Sequence, residues 1–283
     1  MGKHGGKKGR RRVSEPDVYL LGRSETEELR LKRQIADLAP LSDAHLAEVG
    51  IKAGERVVDL GCGPGGVLHL LGKRVGPTGS VLGIERSPHF VELARRFASD
   101  LALTQVEVRE GDAYNTGLPR RSFDGAHMRL VLVNVPKPEL IVREMVALVK
   151  PGGWVASFEA DFEALLIDPP LEAHTRLMSA YCENARRQGI DLFIGRRTHQ
   201  MFREAGIADI SVDVVVQAHP PGHSRRSIFF DFINNVGEDI IGKGIMSRHE
   251  LERDHEAYGR ALADPTTVAV SSLYFRLVGR VPA

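Results

Sequence analysis

Short apolar runs alternate with segments of helical periodicity along the first half of the chain. The apolar runs are followed by glycines or acidic residues, as expected for buried strands that lead into loops. The predicted strands lie at 56–60, 80–85, 106–112, within 123–134 and at 154–158. The predicted helices between them lie at 67–75, 88–101 and 138–149. This alternation predicts βαβ units and a parallel sheet with helices on both faces.

Helical patterns also flank this alternating region. Before it, a helix is predicted over 25–38, where Ser24 and Glu27 fit a capping box, and a second, short helix over 43–49 that ends at Gly50. After it, helices are predicted at 171–188, 196–205 and across most of 227–262, and strands at 210–216 and 268–278. We expect 18–50 to form a helical cover and 162–206 and 224–262 to supply a helical lid.

The composition is that of one globular domain with a basic tail. Hydrophobic residues make up 42% of the 283 positions and charged residues 27%. Residues 1–17 contain a run of lysines and arginines with few apolar positions, so we expect a disordered tail followed by a single domain over 18–283. No apolar stretch is long enough to predict a membrane span, and two cysteines predict no disulfide framework. These features favour a cytoplasmic protein without membrane, nucleic-acid or metal partners.

A glycine-rich loop joins the first predicted strand to the following helix. Gly61, Gly63 and Gly66 satisfy the spacing G-x-G-x-x-G, and Glu85 ends the next strand where a ribose-binding acid belongs. These features alone would also suit an NAD-dependent oxidoreductase. Asp59, two residues before the first glycine, argues against a nearby pyrophosphate and favours a positively charged ligand.

The segments around this loop resemble, in order, the sequence motifs of class I S-adenosylmethionine (SAM)-dependent methyltransferases. The matching segments are Val57 to Gly65, Glu85, Gly111 to Ala113, Ser122 to Asp124 and Leu148 to Gly153. The resemblance implies an α/β, Rossmann-like, mostly parallel sheet of seven strands whose last strand is antiparallel, with SAM as the cofactor. Within the class, the chain is similar to methyltransferases of the ubiquinone and menaquinone biosynthesis type and to bacterial small-molecule methyltransferases.

The resemblance also implies which residues bind SAM. Glu85 would hold the ribose hydroxyls, Asp112 would accept from the adenine amino group, and Arg30 would pair with the carboxylate of the methionine part. The full set of predicted cofactor-binding residues is Tyr19, Arg30, Gln34, Asp59, Gly61, Gly63, Gly65, Glu85, Arg86, Asp112, Ala113 and Arg129. An ion pair between Arg30 and Glu27 on a helix surface is an alternative for that arginine.

The acceptor site is expected above the ends of the fourth and fifth strands. Arg129 lies at the end of one strand, and Glu159 and Asp161 follow the other, so these two acids are candidates for taking a proton or stabilising positive charge. The acceptor is expected to be a small metabolite, with methylation at carbon, nitrogen or oxygen left open. An NAD-dependent oxidoreductase and a non-catalytic nucleotide- or RNA-associated protein remain alternatives.

Overall fold

The computed structural model describes residues 25–283, and a seven-stranded sheet forms its centre. The predicted tail over 1–17, Tyr19 and Ser24 lie outside the described residues. The helices are α1 (Glu25–Val49), α2 (Leu68–Val75), α3 (Pro88–Asp100), α4 (Pro138–Leu148), α5 (Glu172–Arg187), α6 (Ile194–Glu204), α7 (Ile228–Gly242) and α8 (Arg248–Ala263). The strands are β1 (Arg56–Leu60), β2 (Ser80–Glu85), β3 (Val106–Glu110), β4 (Phe123–Arg129), β5 (Val149–Asp161), β6 (Leu166–Asp168), β7 (Ala208–Val215), β8 (Ala218–His219), β9 (Val268–Val270) and β10 (Leu273–Arg280).

The central sheet has the strand order β3-β2-β1-β4-β5-β10-β7. The pairs from β3 to β5 are parallel, whereas β10 runs antiparallel to both β5 and β7. The predicted Rossmann-like sheet with an antiparallel last strand is therefore confirmed. Because the strand order reverses between β1 and β4, a crevice opens at the carboxyl ends of these two strands, where α/β sheets bind their ligands.

The strands at the centre of the sheet are held by large side chains on both faces. Val57 and Val58 of β1 are both fully buried, as expected for a strand covered by helices on each side. Trp154 of β5 packs over Gly125 of β4, where an added Cβ would lie 1.9 Å from the indole ring. Trp154 Nε1 also donates to Glu55 at 2.9 Å, just before β1. These contacts fix the central strands against one another.

One long helix replaces the two predicted N-terminal helices. α1 continues without interruption through Pro40. A proline lacks the backbone N–H that a helix interior needs, so it weakens a helix at this point. Leu38 before the proline and Leu46 after it are both fully buried, so packing against the core on both sides holds the helix together.

The C-terminal half also departs from its predicted arrangement. The predicted strand over 268–278 is two strands, and the shorter one, β9, joins β6 and β8 in a small second sheet that the sequence did not indicate. α6 packs on β5 and β10, so it is a flanking helix of the main sheet rather than part of a lid. α5, α7 and α8 pack on one another. No helix within residues 25–283 is both long and apolar enough to cross a membrane.

Candidate functional site

A deep cavity opens at the carboxyl ends of β1, β2, β4 and β5. Its remaining walls come from α1, α5, α7 and the segment around Tyr274 at the start of β10. Of the predicted cofactor residues, those that line the cavity are Arg30, Gln34, Asp59, Gly61, Gly63, Glu85, Arg86, Asp112, Ala113 and Arg129. The structure thus brings residues from five separate segments of the sequence to one site.

The glycine loop forms the floor of the cavity beneath β1. Gly61 and Gly63 both adopt positive φ angles, +68° and +56°, which glycine tolerates best. A Cβ on Gly63 would meet nothing within 4 Å, so this residue presents its backbone to open space. Gly65 is different: it does not line the cavity, and a Cβ there would lie 2.6 Å from the Phe97 ring. Its predicted contact with SAM stays a prediction, and the structure adds that there is no room for a side chain between its backbone and Phe97.

Two acids flank the loop on the β2 and β3 side. Glu85 at the end of β2 accepts from the backbone N–H of Gly63 at 3.0 Å and of Ser87 at 2.8 Å. Asp112, just past β3, is exposed and accepts from the backbone N–H of Tyr114 at 3.0 Å. Both carboxylates are thus oriented by backbone donors, and both residues line the cavity.

Asp59 at the end of β1 is paired with a histidine that the sequence reasoning did not single out. Its carboxylate lies 2.7 Å from His127 Nδ1, and the two side chains are almost fully buried. Strand register explains the contact, because Asp59 and His127 face one another across β1 and β4. Nε2 of His127 has no hydrogen-bond partner.

Arg129 at the end of β4 brings a positive charge to the same place. Its Nη1 donates to Ser42 Oγ of α1 at 3.0 Å, and a Cβ on Gly66 would lie 3.2 Å from its Nη2. Among residues 25–283 no carboxylate forms an ion pair with it. Removal of water around the guanidinium lowers the pKa of Arg129 to about 10, although part of the side chain still faces the cavity. Such a site favours an incoming anion.

Arg30 and Gln34 extend the cavity wall from α1. Arg30 makes a bidentate ion pair with Glu27, with both N–O distances at 2.7 Å, and donates to Gln34 Oε1 at 2.8 Å. Glu27 is fully buried and also accepts from Asn235 of α7 at 2.7 Å. The pairing of Arg30 with Glu27 is therefore present, but it lies at the buried junction of α1 and α7 rather than on a solvated helix face.

The two candidate acids after the fifth strand do not reach the cavity. β5 continues through Asp161, so its successive side chains point to opposite faces of the sheet. Ala160, which lies between the two acids in sequence, lines the cavity, whereas Glu159 and Asp161 do not. Glu159 accepts from the backbone N–H groups of Val131 and Leu132 at 2.9 and 3.0 Å. The expectation that these acids form the acceptor-site floor is corrected by this placement.

Each of these two acids has a structural environment of its own. Burial raises the pKa of Glu159 to about 7 against the opposing effect of its backbone donors. Asp161 makes a bidentate ion pair with Arg196 at 2.5 and 2.7 Å and caps a short 3-10 helix through the backbone N–H of Glu163.

Three aromatic rings, here called the aromatic stack, lie side by side in a triangle with near-parallel planes in the cavity wall. Phe162, Tyr181 and Phe232 have ring centroids 5.8–5.9 Å apart and interplanar angles of 7–11°. All three are nearly buried, and all three line the cavity. The arrangement provides flat apolar surface next to the charged end of the site.

Leu130, immediately after β4, has a backbone conformation that is rare for a leucine. Its φ is +55°, and its backbone groups are held by Phe158 O at 2.8 Å and by the side-chain amide of Asn134 at 2.8 Å. The residue lines the cavity. Strained backbone of this kind often accompanies functional sites.

Several residues of the site carry no signal in the amino-acid sequence. Ser42, His127, Arg225 and Tyr274 each contact or line the cavity region, yet none belongs to a recognisable sequence pattern. Strand pairing would have indicated His127, since it lies opposite Asp59. Within residues 25–283 no group of three or more histidine, cysteine or acidic side chains could hold a metal ion.

Comparison with known proteins agrees with this geometry. A family described as a methyltransferase domain matches residues 51–206. The chain belongs to this family. The prediction of a class I SAM-dependent methyltransferase is confirmed, and SAM is its cofactor. The glycine cradle, the two acids and the unpaired guanidinium fit the charges of that molecule.

Several individual proteins are similar to this methyltransferase domain. An uncharacterized 37.1 kDa protein in transposon TN4556 of Streptomyces fradiae is 36% identical over 158 residues, which cover 56% of this chain and 44% of that protein. A demethylmenaquinone methyltransferase of Halalkalibacterium halodurans is 30% identical, over 59% of this chain and 73% of that protein. Matches to other curated relatives span about half their length. A solved methyltransferase structure from Bacillus halodurans has the same fold, with a TM-score of 0.59 at 18% identity over 88% of this chain and 100% of that chain.

Proposed function

We propose that this protein transfers the methyl group of SAM to a small, flat acceptor that packs against the aromatic stack of Phe162, Tyr181 and Phe232. The observation that carries the proposal is the guanidinium of Arg129, which faces the cavity beside the glycine loop without a carboxylate partner among the described residues. A ligand with a carboxylate at this position compensates its charge. Asp59 on the neighbouring strand suits the ammonium group of the same ligand.

The remaining cofactor contacts follow from the same placement. Glu85, fixed by the backbone of the glycine loop, is positioned to accept from the ribose hydroxyls. Asp112 and Ala113 lie at the end of β3, where the adenine ring would be held. Arg30 and Gln34 close the methionine end from α1. Tyr19 stays a prediction, because it lies outside the described residues.

The chemistry of methyl transfer asks little covalent help from the protein. SAM supplies a methyl carbon bonded to a sulfonium; an electron pair of the acceptor, a lone pair on nitrogen or oxygen or a π pair on carbon, forms the new bond to that carbon as the carbon–sulfur bond breaks with its electron pair on sulfur. Any proton displaced from the acceptor leaves with the methylated product and is lost to solvent after release. The task of the chain is to align the two molecules and exclude water. The acidic side chains that line the cavity among residues 25–283 are Asp59, Glu85 and Asp112, all on the cofactor side. Alignment, rather than a general base, is therefore our proposed source of catalysis.

The nature of the acceptor rests on the aromatic wall. An apolar wall of near-parallel aromatic rings favours a flat, conjugated molecule over an aliphatic one. Relatives named demethylmenaquinone methyltransferase and 2-phytyl-1,4-naphtoquinone methyltransferase support an acceptor of quinone-like shape. The α5 and α7 helices that carry Tyr181 and Phe232 would close over the acceptor, which is the lid role expected from the sequence.

Calorimetry with SAM, its demethylated product and NAD in parallel tests the proposal. We expect SAM and the product to bind and NAD not to bind. Glu85→Ala and Arg129→Met should each weaken SAM binding by about 1–3 kcal/mol, because each removes a charged hydrogen-bonding partner. Glu92→Gln, a charge loss on the exposed face of α3, serves as the control. Unchanged SAM affinity in both site variants would contradict the assignment, and preferential binding of NAD would overturn the function.

A further inference from the structure

A second arginine in the cavity has hydrogen-bonding capacity that the protein does not use. Arg225 belongs to a 3-10 helix over Ser224–Ser227, is 5% exposed and lines the cavity. Its Nη2 donates to the hydroxyl of Tyr274 at 2.7 Å. Its Nε and Nη1 are inaccessible to solvent and have no hydrogen-bond partner. No carboxylate of residues 25–283 forms an ion pair with it.

The next residue, Arg226, is also a buried arginine, but its hydrogen-bond donors are all directed at protein acceptors. Arg226 is 6% exposed, and its nitrogens donate to the backbone oxygens of Leu262, His219, Thr267 and Asp264 at 2.8–3.0 Å. A further bond reaches the hydroxyl of Thr267. Arg226 therefore ties the 3-10 helix to the end of α8, and its donors are used. Arg225, adjacent in sequence and equally buried, has no such set of acceptors.

A buried guanidinium without a counter-charge is costly for the folded protein. The charge loses its hydration, and each unpaired donor loses its hydrogen bonds to water. Nearby charges add to the cost, because Arg225 and Arg129 repel one another across the cavity. An anion bound in the cavity would offset the uncompensated charge, and a carboxylate is the anion that suits a guanidinium best.

The sheet order places the strand that holds this arginine on the far side of the cavity from the glycine loop. Tyr274, which holds Arg225, lies on β10, and three strand spacings, about 14 Å, separate β10 from β1 and its glycine loop. In register, Tyr274 lies opposite Ala160 of β5, which also lines the cavity. Arg225 thus belongs to the β5–β10 side, whereas Arg129 on β4 lies against the glycine loop.

We propose that the methyl acceptor carries a carboxylate, and that Arg225, oriented by the Tyr274 hydroxyl, binds it. This inference rests on the proposed methyl transfer and specifies its substrate class as a flat aromatic carboxylate. The carboxylate end lies over β5 and β10, and the rest of the ring system lies against the aromatic stack. Arg225 thereby fixes which edge of the acceptor faces the methyl group.

Calorimetry at saturating S-adenosylhomocysteine tests this with two matched probes, 1-hydroxy-2-naphthoate and the neutral 1-hydroxy-2-naphthamide. We expect the wild-type protein to bind the naphthoate about tenfold or more tightly than the amide, as the loss of a charge-assisted hydrogen bond predicts. Arg225→Gln should remove this preference, Arg225→Lys should keep part of it, and S-adenosylhomocysteine affinity should change by less than about twofold. Arg203→Gln, at an exposed position of α6, is the control for charge loss.

Several outcomes would overturn the inference. A wild-type protein that binds S-adenosylhomocysteine without preferring the carboxylate, or that binds neither probe, shows that the site does not recognise this class. A large loss of S-adenosylhomocysteine affinity in Arg225→Lys assigns the arginine to the cofactor instead. Tyr274→Phe checks the orientation independently and should weaken naphthoate binding while changing S-adenosylhomocysteine affinity by less than about twofold. Failure of the wild type to bind S-adenosylhomocysteine would instead count against the proposed function itself.

Discussion

The carboxylate of Asp59 and the ring of His127 form a buried pair, with Asp59 Oδ1 2.7 Å from His127 Nδ1. The pair joins the ends of β1 and β4 at the point where the cavity begins. His127 thus holds the carboxylate that we assign to the ammonium group of SAM, and it has no other hydrogen-bond partner in the described chain.

Replacing His127 by leucine should therefore destabilise the protein and increase its response to SAM. We expect His127→Leu to lower the free energy of unfolding by about 1–3 kcal/mol, because it leaves the Asp59 carboxylate buried without its donor. SAM should then raise the melting temperature more than in the wild type, since the bound cation replaces part of the lost interaction. Differential scanning fluorimetry with and without SAM measures both effects.

His127→Asn is the matched control for this experiment. The asparagine amide can donate to Asp59, so both the stability and the SAM response should lie closer to the wild type. An equal SAM-induced shift in wild type and His127→Leu would show that Asp59 does not contact the ligand's positive charge.

The residues that the sequence located correctly share a strong local signal. β1 and β2 begin and end at the predicted residues, because a short apolar run that ends in glycine or an acid has few alternative structures. The glycine loop and Glu85 follow from those strand ends. Residues that join the site through tertiary contacts could not be located from the sequence. His127 is recognised only from the β1–β4 register, and Arg225 only from its contact with Tyr274.

The predictions that failed depended on where an element ends. The fifth strand was predicted to end at Phe158, which placed Glu159 and Asp161 in a loop. In the structure the strand continues through Asp161, and the alternation of side chains along it points both acids away from the cavity. The two helices predicted over 25–38 and 43–49 are one helix that continues through Pro40, because packing on both sides of the proline holds it together. The small sheet was not detectable, because strands of two or three residues carry no periodic pattern.

Two glycines of the same loop should respond differently to alanine. Gly63→Ala should reduce stability by about 1 kcal/mol, because its φ of +56° strains alanine, and should reduce SAM affinity by more, because the new methyl group enters open space that the ligand would use. Gly65→Ala should reduce stability by about 1–3 kcal/mol, because its φ of +115° strains alanine and its Cβ would meet Phe97. Urea unfolding and SAM titration of both variants separate the two effects. If Gly63→Ala and Gly65→Ala were equally stable and lost SAM affinity to a similar extent, the packing role of Gly65 would be contradicted.

Asp161 should prove to be a stabilising residue rather than a catalytic one. Asp161→Asn should lower the free energy of unfolding by about 1–3 kcal/mol, since it breaks a pair in which the carboxylate is fully buried. The methylation rate per folded molecule should stay within about twofold of the wild type, because the side chain does not line the cavity. Arg197→Gln is the control, because its partner Asp191 and the arginine itself are both partly exposed and such pairs contribute little. A stable Asp161→Asn protein with a severe loss of rate would return Asp161 to the catalytic site.

The pH dependence of stability offers a separate test of Glu159. Burial raises the pKa of this carboxyl from its ordinary value of 4.5 to about 7 in the folded protein. Between these two values the folded state holds a proton that the unfolded state has released, so the contribution of Glu159 to the free energy of unfolding falls as the pH rises through this window. Above pH 7 both states are ionised, and the contribution no longer changes.

Glu159→Gln removes this titration while keeping the size of the side chain. The free energy of unfolding of the wild type minus that of Glu159→Gln should therefore decrease by roughly 1–3 kcal/mol between pH 5 and pH 7.5. Urea unfolding across that range measures the difference, and Glu139→Gln, at an exposed position of α4, should show no comparable trend. A difference that instead grows with pH would mean that the three backbone donors of Val131, Leu132 and Val133 outweigh burial and keep Glu159 ionised. In that case the carboxylate would act as a charged cap of the turn after β4, and its loss would loosen the turn that carries Val131 and Val133 into the cavity wall.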